Sequence, residues 1–133
     1  MLHVKKSTLP GAGKGLFTDQ DIPKGKIICE YEGEKITWKE AERRNEKNQG
    51  GYVYYISEKS CVDAWHYKKT FGRYANDAAG IGRIKGFRNN STYDVIRGKV
   101  YIRATRNIKA GSEIFVSYGR QYWNIMKQEL GLK

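Results

Sequence analysis

The sequence predicts a mainly β domain assembled from several small sheets, with a few short helices. Three observations carry that expectation. Short runs rich in β-branched and aromatic residues recur along the chain, separated by Gly, Asn and Asp. Helical signals are confined to a few stretches. A chain of 133 residues with 39% hydrophobic content suffices for one ordinary core and is too short for two comfortable ones, so residues 1–133 are expected to form a single domain.

Taken in order, the glycine-rich GAGKG at 11–15 leads into the first β run, GLFT, and KIICEYEG at 26–33 follows as a strand ending in Tyr31-Glu32-Gly33-Glu34. TWKEAERRNEKN at 37–48 reads as an exposed helix, charged nearly all round, with Thr37 as N-cap and Glu40 completing a capping box. YVYYIS and CVDAW are the next strands. HYKKTFGRYAN at 66–76 has a helical signal broken by Gly72. STYDVI–RG–KVYIRA is the clearest hairpin, because alternating residues flank Arg97-Gly98 and Gly98 can take the positive φ of a tight turn. EIFVSY at 113–118 is read as one strand, and RQYWNIMKQEL as a tail helix within 120–133.

Lys and Arg number 25 against 14 Asp and Glu, a formal charge of +11. That field favours anionic partners such as nucleic acid or an acidic protein face, although scattered basic residues also suit a solvated surface. No apolar run approaches the ~20 residues of a spanning helix, and no secretory leader is evident, so a soluble, intracellular protein is expected. Cys29 and Cys61, with His3 and His66, lack the paired spacing of a zinc site; no metal is expected, and both cysteines are expected to be buried thiols in a reducing compartment.

The glycine-rich loop, the YEGE of Tyr31–Glu34, the RYAND ending in Asn76-Asp77, and IKAGSEIFVSYG at 108–119 occur in an order and spacing that resembles the SET-domain protein lysine methyltransferases. The resemblance runs from about Leu9 to Trp123. It implies a β-clip-like fold with a C-terminal pseudoknot, S-adenosylmethionine on one face, and the substrate lysine on the other, joined by a narrow channel. It implies main-chain cofactor contacts from Gly13, Lys14, Gly15 and Leu16, and Asn76 with Asp77 at the cofactor's polar end. Tyr118 would be the catalytic phenol, Tyr31 and Tyr93 would line the lysine channel, and Trp123 would cover the cofactor or close that channel. Residues 35–50 would be a short form of a variable, substrate-selecting insert. The implied partner is a protein presenting a lysine, such as a histone or a nucleosome.

Departures from the family pattern sharpen these expectations. Asp77 stands where the family usually has His, Val116 stands where many relatives carry Phe or Tyr, and the cysteine-rich zinc segments of many relatives are absent, leaving the tail around Tyr122 and Trp123 to close the channel. Two readings stay open for the aromatics, since Tyr31, Tyr93 and Trp123 would also serve as ordinary packing. A second function stays open as well: a non-catalytic module of the same fold that binds nucleic acid or chromatin through Lys68, Lys69, Arg73, Arg83, Lys85 and Arg88.

Overall fold

The computed structural model describes residues 1–49, 51–79 and 86–118. Three small sheets carry the architecture. The first is a three-stranded antiparallel sheet in the order β1 (Leu2–Lys6), β2 (Lys14–Thr18), β9 (Glu113–Ile114). The second has the order β10 (Val116–Ser117), β7 (Ser91–Ile96), β8 (Lys99–Ala104), β3 (Ile27–Glu30), with β10 parallel to β7. The third has the order β4 (Glu34–Ile36), β6 (Ser60–Asp63), β5 (Val53–Ser57).

The hairpin expected at Arg97-Gly98 is present with an unbroken register from Ser91↔Ala104 to Ile96↔Lys99. Arg97 and Gly98 both lie in the left-handed region, at φ 51° and 79°, as a two-residue turn that matches the strand twist requires. Alternation also selects the buried face of β8: Val100, Ile102 and Ala104 are buried, and Ile102 is fully so.

Four expectations need correction. LHVKK forms β1, a strand the sequence did not announce because Lys5 and Lys6 point to solvent and leave only Leu2 and Val4 to pack. EIFVSY is not one strand. It divides at Phe115, and β9 joins the first sheet while β10 joins the second. The strand expected to end at Tyr31–Glu34 stops at Glu30, and Glu34 opens β4. Residues 66–76 are no helix; they form turns followed by a short 3-10 turn, Gly72–Tyr74. Side-chain bonds hold those turns: Thr70 Oγ1 donates to Tyr67 O (2.7 Å) and Tyr74 Oη donates to Lys68 O (2.6 Å).

Helix α1 (Trp38–Glu46) forms where expected, with Thr37 Oγ1 accepting from Glu40 N at 3.2 Å. The Glu40 carboxylate turns instead to Arg43 and Arg44. Arg44 also reaches Glu34 and the buried Asp63, tying α1 to β4 and β6. The tail helix expected within 120–133 lies outside the described residues.

The segment carrying β9 and β10 is clasped from two sides. Asn76 O accepts from Val116 N (2.8 Å), and Asp77 Oδ2 accepts from Tyr118 N (2.9 Å). Opposite, Asn90 Oδ1 accepts from Phe115 N and its Nδ2 donates to Glu113 O, both at 2.9 Å. Glu113 in turn accepts from Ser7 Oγ, Thr8 N and Thr8 Oγ1, so the N-terminal loop is fastened to the far end of the chain. The main core fills the space between the first two sheets, around Leu16, Ile102, Ile114 and Val116.

Candidate active site

A cavity of about 520 Å³ opens where the glycine-rich loop, the end of β3, β5, β7 and the Asn76 segment meet. One end is main chain and amide: Gly13, Lys14 and Asn76 line it, and Asn76 Nδ2 donates to Lys14 O at 2.9 Å. The other end is aromatic. Tyr93, from the middle of β7, meets Tyr31 edge-on (5.7 Å between ring centroids), Tyr54 at 4.8 Å, and Tyr118 in near-parallel stacking at 6.4 Å.

Each phenol is placed by the backbone that carries it. Tyr31 follows β3 directly, with its N–H bonded to Val100 O (2.8 Å) and its hydroxyl donating to Tyr52 O (2.5 Å). Tyr118 follows β10, anchored through its N–H to Asp77, and its hydroxyl donates to Ala75 O at 2.7 Å. Burial pushes the Tyr31 and Tyr93 hydroxyls well above the ordinary phenol range, and the neighbouring Tyr118 adds to this. Tyr54 is raised as well, by burial and by Asp94. These three groups are therefore neutral near pH 7, and none of them acts there as an anionic base.

Six of the residues expected from the sequence thus line one cavity: Gly13, Lys14, Asn76, Tyr31, Tyr93 and Tyr118. Three do not. Leu16 is fully buried in the main core, and its strand is paired on both sides, with Val4 and with Ile114. Gly15 is required by close approach, because a Cβ there would collide with the Glu113 carboxylate. Asp77 is 6% exposed and braces the backbone: Oδ2 accepts from Tyr118 N, and Oδ1 accepts from Ala79 N and Asn89 Nδ2. Val116 is fully buried in the core and is not part of the cavity wall. Trp123 lies outside the described residues.

The wall also contains residues that sequence reasoning passed over. Tyr52 and Tyr54 come from YVYYIS, where alternation turns Tyr54 toward the cavity and leaves Tyr55 half exposed. Arg73, expected on a basic outer face, instead lies 3.9 Å over the Tyr52 ring and donates from Nη1 to Ala64 O and Trp65 O. Its Nε is buried with no hydrogen-bond partner among the described residues. The signal that could have separated it from the other basic residues is its place between aromatic neighbours in FGRYAN.

Chemically, the site offers main-chain polar groups and an amide on one side and, on the other, a wall edged by neutral phenols with the Arg73 guanidinium, beside Tyr52, as its one cation among the described residues. Among the described residues no group of His, Cys, Asp and Glu could hold a metal ion, and no helix is long and apolar enough to cross a membrane. Cys29 and Cys61 are thiols; burial pushes Cys29 up to about 12, and Cys61 is raised for the same reason.

The sequence profile of the family described as SET domain matches residues 13–119. The chain is 31% identical over 140 residues to the "Histone-lysine N-methyltransferase EZH2" of Chaetomium thermophilum, covering 92% of this chain and 8% of that protein. It is 28% identical over 125 residues to the "N-lysine methyltransferase KMT5A" of Xenopus tropicalis, covering 87% of this chain and 36% of that protein. It thus spans well under half the length of these curated relatives. Among solved structures it is similar to "ctPRC2 in an autoinhibited conformation bound to S-adenosylmethionine", with a TM-score of 0.72 and 28% identity over 98% of this chain and 16% of that one.

Proposed function

This chain belongs to the SET-domain family, and from that premise we propose that it is an S-adenosylmethionine-dependent protein lysine N-methyltransferase. The observation that carries the reading is the single cavity whose amide-lined end, at Gly13, Lys14 and Asn76, runs into the phenols of Tyr31, Tyr93 and Tyr118. The donor set fits the cofactor: close main chain beside a glycine admits a bulky ligand and offers its polar end hydrogen-bond partners. When bound, the cofactor supplies an activated methyl group on a positive sulfur.

The residues of the chain do the positioning. A substrate lysine has a reference pKa near 10.4, so only about one in a thousand is neutral at pH 7.4. A wall of neutral phenols offers no counter-charge, and desolvation there lowers the amine's pKa. Tyr118 gives its hydroxyl hydrogen to Ala75 O, which presents its oxygen to an incoming amine as an acceptor. Holding the amine on the line of displacement is then the main contribution of the site.

The substrate class is a protein, and the name of the Chaetomium thermophilum relative favours a basic, histone-like one. A +11 enzyme repels a bare basic tail at long range, so a DNA-associated substrate in a nuclear or nucleoid setting suits it best. The test is labelled cofactor with histones, nucleosomes and cell lysate, comparing the native chain with Tyr118→Phe. Labelled protein with the native chain and about a hundredfold less with the variant is expected. Equal labelling by both removes Tyr118 from the role, and no detectable cofactor binding in a calorimetric titration leaves a non-catalytic module.

A further inference from the structure

The loop between β6 and the 3-10 turn is the strongest feature that the proposed reaction leaves unused. From residue 64 to 76, AWHYKKTFGRYAN, the chain has no acidic residue. Lys68 and Lys69 are exposed, and no ion pair among the described residues involves either. The carboxylates that bound the loop in sequence do not offset them: Asp63 and Asp77 are 2% and 6% exposed, and each is engaged internally. Glu34, which feels His66, is held by Arg44.

Two aromatic rings flank this pair of cations. Tyr67 and Phe71 are both 39% exposed, although rings of that size normally bury more of their surface. The backbone that presents them is fixed. Tyr67 N bonds to Ala64 O (3.0 Å), Thr70 caps Tyr67 O, Tyr74 Oη holds Lys68 O, and Arg73 grips Ala64 O and Trp65 O. A loop backbone held in place loses less conformational freedom on binding a partner.

We infer that the 66–71 loop is a docking surface for single-stranded nucleic acid, with Lys68 and Lys69 on phosphates and Tyr67 and Phe71 stacked on bases. Charge alone suits any polyanion, but exposed flat rings on either side of a cation pair suit a ligand that carries both anionic groups and flat bases. The same turns carry Arg73 and Tyr74 into the cavity wall, so a nucleic acid held here lies beside the cavity. This inference is independent of methyl transfer.

Fluorescence anisotropy with the whole chain tests it, using a labelled oligothymidylate of about 15 nucleotides, a duplex of equal length, and a salt series without cofactor. The single strand is expected to bind more tightly than the duplex. Lys68→Ala/Lys69→Ala is expected to reduce the slope of log affinity against log salt by about 1.4. Tyr67→Ala and Phe71→Ala are each expected to weaken binding on the order of tenfold, and Tyr67→Phe to retain it, with thermal melting confirming that each variant folds. Ring variants that bind like the native chain overturn the inference. So does a polyglutamate of matched charge that competes as well as oligothymidylate, which identifies an acidic protein as the partner.

Discussion

Asp77 is a carboxylate that does the work of a scaffold. It accepts three hydrogen bonds, and one of them fixes the N–H of Tyr118, the residue proposed to act on the substrate. Asp77→Asn keeps one acceptor oxygen, which in the better orientation serves Ala79 N and Asn89 Nδ2 and turns the NH2 group toward the Tyr118 N–H. It is expected to lower stability by about 2 kcal/mol and to reduce kcat more than cofactor affinity, read by denaturant titration beside calorimetry and single-turnover rates. Tyr31 and Tyr93 make a second expectation. With their folded pKa values raised above the unfolded value of about 10, the stability they contribute is complete below pH 10 and declines as the pH rises beyond it. Ultraviolet difference titration should find these two phenols un-ionised at pH 10, where a free phenol is half titrated; ordinary titration of all tyrosines would contradict their burial. At this scale the family resemblance led to Tyr31, Tyr93, Tyr118 and Asn76, and the fold brings these four to one cavity. Tyr52 and Arg73 were not legible, because only the folded register brings them to Tyr31 and Trp65.

Between elements, Arg44 is the joint. It bonds to carboxylates from β4, α1 and β6 at once, and Asp63 among them is almost wholly buried. Arg44→Ala leaves that carboxylate without its cation and is expected to lower stability by about 2–3 kcal/mol, measured by urea denaturation. The partner Glu40 is held down to about 2, chiefly by hydrogen bonds from Arg43 and Arg44, against an ordinary 4.5. Its contribution is therefore complete above pH 4.5 and is lost as the pH falls toward 2. The pair is exposed and screened by salt, so Tm against pH should fall less steeply for Glu40→Gln than for the native chain, and the difference should shrink at high salt. Hairpin β7–β8 and helix α1 were readable because turn, cap and periodicity are local signals. The division of EIFVSY at Phe115 was not, since alternation cannot reveal that a strand changes sheets halfway along. For the same reason LHVKK gave no warning that it would find β2.

For the molecule as a whole, the decisive contacts are long in sequence. Ser7 and Thr8 meet Glu113 across more than a hundred residues, and β9 completes a sheet begun by β1 and β2. Such topology folds on the slower side, and refolding is expected in milliseconds to seconds by stopped-flow fluorescence. Removing residues from 112 onward is expected to unfold the first sheet as well as the second, seen as loss of the β signal in circular dichroism. The mainly β class was legible from composition and spacing, but closure of the chain on itself is a property of contacts that no window of sequence contains. The change of sheet at Phe115 has one more effect. Tyr118 stands a few residues beyond a strand that pairs with Leu16 and Phe17, so occupancy of the cavity is expected to steady the amino-terminal sheet. Amide hydrogen exchange at Leu16 and Phe17 should slow when cofactor is added, which makes these two buried amides a built-in gauge of a binding event they do not touch.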